Sequence, residues 1–115
     1  MPSLHHLALR THDLERLLAF YRHWFALSVQ RDLRPRSVWL RLEPAGVLML
    51  ERAEPAEPAV PVGSRELLAL SVTIEQRASL KEQLIAAGLL EGETEHTLYF
   101  RDPDGRRVAL SSYPL

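Results

Sequence analysis

The chain has 115 residues, a formal net charge of −1 and no cysteine. This length suits one domain core but not two independent ones. Charged residues of both signs are interspersed, so no basic nucleic-acid-binding surface is predicted. The lack of cysteine excludes disulfides, thiolate metal ligands and thiol nucleophiles. Without a secretory leader or an apolar stretch of about 18 residues, the sequence predicts a soluble cytoplasmic protein that does not bind membranes.

The first half of the chain predicts a strand, an amphipathic helix and three further strands. Asp13 is placed to cap the helix, whose apolar residues recur at helical spacing as far as Leu27. A Pro-x-Gly turn is predicted to join the last two strands as a hairpin, and the strand before them is predicted to lie at an edge. The predicted strands cover residues 4–10, 28–32, 37–42 and 47–51.

A proline-rich segment separates this half from a second one. Pro55, Pro58 and Pro61 interrupt residues 54–65, and proline both stiffens a linker and ends a sheet. We therefore expect a module at about 1–53, a linker at 54–65 and a module at 66–115. The second module is predicted to contain strands at 66–73, 89–93, 97–100 and 107–112, and a helix at 79–90 that Gly88 can end.

The two halves resemble one another. Leu-Ala-Leu occurs at 7–9 and again at 68–70, each time followed by a helical pattern. Pro-x-Gly occurs at 44–46 and at 103–105, each time followed by an apolar strand. Because order, spacing and turn residues agree, internal duplication is the economical explanation, and chance similarity of two small units is the alternative.

Three segments carry a resemblance to a known family. They are Leu-His-His-Leu-Ala-Leu at 4–9, Asp-Leu-Glu-Arg at 13–16 leading to Ala-Phe-Tyr at 19–21, and Leu-Tyr-Phe-Arg-Asp-Pro-Asp-Gly at 98–105. With these segments the chain resembles the vicinal oxygen chelate superfamily. That group contains glyoxalase I, fosfomycin-resistance thiol transferases, extradiol dioxygenases and bleomycin-resistance binding proteins.

The resemblance implies one α+β domain spanning residues 1–115. Two tandem βαβββ modules would form a half-open β-barrel around a cavity, with the helices outside, and two chains would form a homodimer. The residues agree, because each strand alternates an apolar face with a mixed face that suits a cavity wall. Exposure of that mixed face on an open sheet is the alternative. The predicted ligand-binding residues are His6, Ala8, Arg10, Trp39, Arg41, Met49, Glu51, Leu67, Ala69, Arg107, Ala109, Ser111 and Tyr113.

Enzymes of this superfamily hold a divalent metal between four strands, and the resemblance assigns the four positions here. His6 matches the first ligand and keeps a nitrogen donor. Met49, Leu67 and Ala109 stand where the resemblance implies a glutamate, a histidine and a glutamate. A thioether is a poor ligand for Mg, Mn, Ni or Zn. The sequence thus predicts that the usual metal site is absent and that no cofactor is bound.

Weaker alternatives involve other donors. Glu51 could join His6 in a two-ligand site, although pairing with Arg10 or Arg107 is the favoured expectation. His96, with Glu95 at the start of a strand that would edge the cavity, is the other alternative, acting with His6 in a metal site or in acid–base chemistry. The remaining histidines are predicted to be structural or to lie on the surface: His5, His12 and His23. The sequence shows no Ser-His-acid arrangement, phosphate loop or dinucleotide fingerprint, so it predicts no particular catalytic residue.

The sequence is compatible with three functions. The favoured hypothesis is a metal-free protein that binds an aromatic or amphipathic small molecule, as the bleomycin-resistance branch does. Trp39 or Tyr113 would stack on the ligand while arginines orient it. The second hypothesis is a metal-dependent lyase, thiol transferase or dioxygenase with a rearranged site. The third, ranked lowest, is a protein-interaction or assembly module.

Overall fold

The structure, a computed structural model, describes all 115 residues and divides into two units, Met1–Ala59 and Val60–Leu115. Each unit contains four strands and one helix. The first unit consists of β1 (His6–Thr11), α1 (Leu14–Trp24), β2 (Val29–Leu33), β3 (Ser37–Arg41) and β4 (Val47–Arg52). The second consists of β5 (Leu67–Ser71), α2 (Ile74–Ala86), β6 (Gly92–Glu93), β7 (Thr97–Arg101) and β8 (Arg107–Ser111).

The two sheets have the same topology. The strand order is β1-β4-β3-β2 in the first sheet and β5-β8-β7-β6 in the second. In each sheet the first strand of the module pairs in parallel with the last, and the other pairings are antiparallel. This confirms the duplicated βαβββ modules and the α+β fold. Both sheets are open, each with two edge strands.

Helix α1 begins where the sequence predicts. The Asp13 side chain accepts a hydrogen bond from the backbone N–H of Arg16 at 3.1 Å, which satisfies one free donor of the first turn. The helix packs against β4 and buries Leu17 and Tyr21 completely. Neither helix of the chain is long and apolar enough to span a membrane.

The C-terminal end of α1 differs from the prediction. The helix ends at Trp24 rather than continuing to Leu27, and Ala26 adopts a left-handed conformation with φ of 51°. The helical spacing of apolar residues continues past Trp24, but the backbone leaves the helical conformation after that residue. In the second module the residue at the same place after α2 is Gly88, with φ of 71°.

Helix α2 begins earlier than predicted. It starts at Ile74 rather than at Ser79, because Thr73 and Gln76 form a capping box: the Thr73 hydroxyl accepts from the Gln76 N–H at 3.1 Å, and the Gln76 side chain accepts from the Thr73 N–H at 2.9 Å. The sequence pattern places Thr73 in the preceding strand, at 66–73. Its role as a cap moves the helix boundary by more than one turn.

The Asp-Pro-Asp-Gly segment is a structural turn. The Asp102 carboxylate is buried and accepts hydrogen bonds from the backbone N–H groups of Asp104 at 2.9 Å and Arg106 at 3.0 Å. The Arg106 guanidinium adds an ion pair to Asp102 at 3.1 Å. These bonds fix the entry into β8, so the motif positions that strand.

Candidate ligand-binding site

Each sheet has one face toward its own helix and a second face, here called the distal face. In the first sheet the helix side is buried and apolar, with Leu9, Val38, Leu40, Leu48 and Leu50 at its centre. The register places the alternate residues together on the distal face. Those residues, predicted from the sequence to contact a ligand, are His6, Ala8, Arg10, Trp39, Arg41, Met49 and Glu51.

The second sheet repeats this arrangement. Leu98, Phe100, Val108 and Leu110 are buried on the helix side. The predicted residues that share its distal face are Leu67, Ala69, Arg107, Ala109 and Ser111. Tyr113 is not on a strand, because β8 ends at Ser111; its side chain is 62% exposed and its ring contacts that of His96.

The four positions where the resemblance implies metal ligands differ in exposure and in chemistry. His6 is exposed, Met49 is half-buried, Leu67 is 43% exposed and Ala109 is fully buried. Only His6 carries a donor that suits a divalent ion. Nowhere in the chain do three or more His, Asp or Glu side chains lie together in a way that could hold a metal. The residues present therefore do not fit the metal centre of the family's enzymes.

Glu51, the alternative metal ligand for a rearranged site, forms an ion pair with Arg10. Arg10 lies directly opposite it across the β1–β4 ladder, and their charged groups are 3.7 Å apart. This is one of the two pairings expected from the sequence.

Arg10 is held more closely by a residue that the sequence reasoning missed. The Glu57 carboxylate accepts hydrogen bonds from Arg10 Nε at 3.0 Å and Nη2 at 2.8 Å. These bonds lower the pKa of Glu57 to about 2 and raise that of Arg10. The Glu57 carbonyl also contacts His12 Nε2 at 2.9 Å. The start of the proline-rich segment is thus anchored to the end of β1, and the Arg10 guanidinium is already paired with carboxylates of the chain.

Apart from His12, which contacts the Glu57 carbonyl, and His96, whose ring contacts that of Tyr113, the histidine side chains contact only their neighbours in the chain. His5 and His6 approach each other through their Nδ1 atoms, which are 2.9 Å apart, so one ring donates to the other. His96 Nε2 lies 3.7 Å from a carboxylate oxygen of Glu95. His23, on the surface as expected, contacts the edge of the Trp24 ring. No histidine is paired with both a nucleophile and an acid.

Trp39 lies at the centre of the distal face of the first sheet, opposite Met49 on β4 and Arg31 on β2. The Arg31 guanidinium carbon lies 5.2 Å from the centroid of the Trp39 ring, a cation–π contact. Trp39 Nε1 is buried, and no acceptor of the chain is within hydrogen-bonding distance. Arg31 is not among the site residues predicted from the sequence, because a β-bulge between Val29 and Arg31 shifts the strand register.

The second sheet carries a similar pair on its distal face. The Arg107 guanidinium lies 4.4 Å from the centroid of the Tyr99 ring. Tyr99 was not among the predicted site residues, although its alternation with Leu98 and Phe100 was a usable signal. Beside this pair, the hydroxyl oxygens of Thr97 and Ser111 are 2.7 Å apart.

Comparison with known proteins settles the family. Residues 3–110 match the family model named Glyoxalase. The chain belongs to the Glyoxalase/Bleomycin resistance protein/Dioxygenase superfamily. This confirms the resemblance stated from the sequence. No curated protein sequence matches the chain significantly.

Solved structures of this superfamily share the fold at low sequence identity. The fosfomycin resistance protein FosX from Listeria monocytogenes has a TM-score of 0.82 and 16% identity, and the match covers 100% of this chain and 94% of that one. A possible glyoxalase from Bacillus cereus has a TM-score of 0.78 and 18% identity, covering 95% and 97%. Lactoylglutathione lyase from Agrobacterium tumefaciens has a TM-score of 0.72 and 20% identity, covering 95% and 92%. At these identities the likeness concerns the fold alone.

Proposed function

We propose that this superfamily member is a small-molecule binding protein that works without a bound metal. The observation that carries the proposal is the loss of donors at three of the four ligand positions, while the scaffold around them is retained. A metal enzyme of this kind needs the ion as a Lewis acid for two neighbouring substrate oxygens. His6 alone cannot hold it.

The composition of the distal face of the first sheet supports binding. Trp39 and Met49 offer apolar and polarisable surface, and Arg31 and Arg41 offer charge beside it. Small-molecule sites combine mostly apolar walls with a few placed polar groups. An aromatic side chain contributes a large contact area with few rotatable bonds. This face can thus hold a flat or amphipathic ligand.

A fragment screen by ¹H–¹⁵N correlation spectra tests the proposal. We expect fragments to shift the amides of the distal face of the first sheet, with affinities that agree within about twofold in EDTA and in excess Mg²⁺ or Mn²⁺. The variant Ala8→Trp, which places a bulky ring on this face opposite Met49, should weaken binding about tenfold or more.

Ala19→Trp is the matched control, because Ala19 is also exposed but lies on α1. It should bind like the unmodified chain. Binding that requires added metal, or that Ala8→Trp leaves unchanged, would contradict the proposal.

We also propose that the chain forms a homodimer. β1 and β5 are edge strands of open sheets, and Leu67 on β5 is 43% exposed. Unpaired strand edges with apolar side chains are usually covered in a stable protein. Sedimentation equilibrium should give twice the 13.1 kDa chain mass; a monomer at all concentrations would contradict this.

A further inference from the structure

We propose that the site on the first sheet selects an anion, a conjugated or aromatic small molecule that carries a carboxylate or similar oxyanion, and that Arg31 is the residue that selects its charge. This rests on the proposed function, because it names the ligand class of the same site. The Trp39 indole N–H is the second donor to the anion.

The charges around the distal face leave a positive surplus. Two carboxylates lie beside this face, those of Glu51 and Glu57, and both pair with Arg10. Asp32, next to Arg31 in the chain, instead pairs with Arg34 at 2.6 Å. These three acidic groups therefore each have a cation already.

Two arginines on this face have no such partner. Arg31 and Arg41 form no ion pair with any carboxylate of the chain. The whole chain has a net charge of −1, so this surplus is a local property of the face. An uncompensated guanidinium beside a low-polarity wall attracts an oxyanion and can bind it through two parallel N–H groups.

The unpaired donor at Trp39 points to the same ligand chemistry. A buried N–H without an acceptor costs about 1–3 kcal/mol, and such groups are rare in folded proteins. Arg31 lies over the ring and is itself exposed, so its side chain can move without breaking an ion pair. A ligand oxygen that reaches the indole edge would accept from Trp39 Nε1 and from Arg31 together.

The second sheet supports the inference independently. Arg107 lies on the Tyr99 ring at 4.4 Å and, like Arg31, forms no ion pair with a carboxylate. Its strand neighbour Arg101 is different, since that guanidinium pairs with Glu91 at 3.1 Å. Each module thus keeps one uncompensated arginine stacked on the aromatic residue of its distal face.

The test compares 2-naphthoate with 2-naphthamide, which have nearly the same shape and differ in charge. Calorimetric titration should show tighter binding of the naphthoate by about tenfold or more, with an advantage that falls as salt rises. Arg31→Gln should remove most of that advantage and change naphthamide affinity less than about twofold. Arg31→Lys should restore only part of it, because an ammonium lacks the fork geometry.

Arg22→Gln is the matched control, because Arg22 lies on the exposed side of α1 and its replacement removes the same charge. It should keep the full preference for the naphthoate. The indole ¹H resonance of Trp39, assigned with Trp39→Phe, should move downfield on adding naphthoate while that of Trp24 stays in place.

The outcomes separate the two proposals. Equal binding of both probes, or a preference that survives Arg31→Gln, overturns the anion inference and leaves the proposed function standing. Failure of both probes and of every fragment to bind removes the proposed function itself. A Trp39 indole resonance that does not move at saturation overturns the role of its N–H.

Discussion

Among single residues, comparison of the two repeats shows one strained backbone position. Ala26 and Gly88 occupy matching places after α1 and α2, and both adopt positive φ angles, of 51° and 71°. Glycine adopts this conformation at no steric cost, whereas a Cβ atom costs about 1–2 kcal/mol. The first module therefore carries strain that the second avoids.

We expect Ala26→Gly to stabilise the chain by about 0.5–1 kcal/mol, since relief of strain exceeds the added freedom of the unfolded chain. Gly88→Ala should destabilise it by a similar or larger amount, and a Cβ atom at Gly88 meets no neighbour that would confuse the comparison. Urea unfolding measures both. A loss of stability in Ala26→Gly would show that the left-handed conformation of Ala26 does not lower the stability of the chain.

At the element scale, the proline-rich segment is partly fixed to the sheet. The Ala53 N–H donates to the Thr11 carbonyl at 2.7 Å, and Glu57 then binds Arg10 with two hydrogen bonds. Composition alone predicted a stiff linker. It could not show that one carboxylate within the segment returns to the end of β1, because that contact joins residues 47 positions apart.

The pH dependence of stability tests this contact. The Glu57 pKa is about 2 in the folded chain and 4.5 ordinarily, mainly because of the Arg10 hydrogen bonds. A lowered carboxyl pKa stabilises the fold above pH 4.5, and this contribution is lost as the pH falls toward 2. Glu57→Gln should thus melt at a lower temperature than the unmodified chain at pH 7, and the difference should shrink between pH 4.5 and 2.

The neighbouring Glu54→Gln serves as the control, because the Glu54 side chain forms no ion pair. Its melting temperature should follow that of the unmodified chain across the whole range. A Glu57→Gln curve parallel to the unmodified one would mean that the Arg10 contact contributes nothing to stability in solution.

For the whole molecule, strand alternation, the Asp13 cap and the two Pro-x-Gly turns predicted two similar halves, each with a helix and several strands. The βαβββ architecture and the family were predicted from the resemblance of the three segments at 4–9, 13–21 and 98–105. The ends of helices and strands were harder to predict where one residue suits two roles. Thr73 is a residue type that favours strands, yet it caps α2. Long-range pairings such as Arg31 on Trp39 depend on a bulge that no local pattern shows.

From the sequence, Met49, Leu67 and Ala109 are predicted to stand at metal-ligand positions without a donor atom that suits a divalent ion, and this stays a prediction. The structure adds that Glu51 forms an ion pair with Arg10. What the sequence could not show is which arginines stay free of carboxylates. That property depends on the partners of every acidic group nearby, and it decides the ligand class that we propose.

We infer that the chain keeps the duplicated scaffold but not the metal centre of the family's enzymes. The decisive measurement is the metal content by inductively coupled plasma mass spectrometry, after equilibration with equimolar Mg²⁺, Mn²⁺, Ni²⁺ and Zn²⁺ and removal of free ions. We expect far less than one metal per chain, with no difference between the unmodified chain and His6→Ala. One metal per chain that disappears in His6→Ala would overturn this inference.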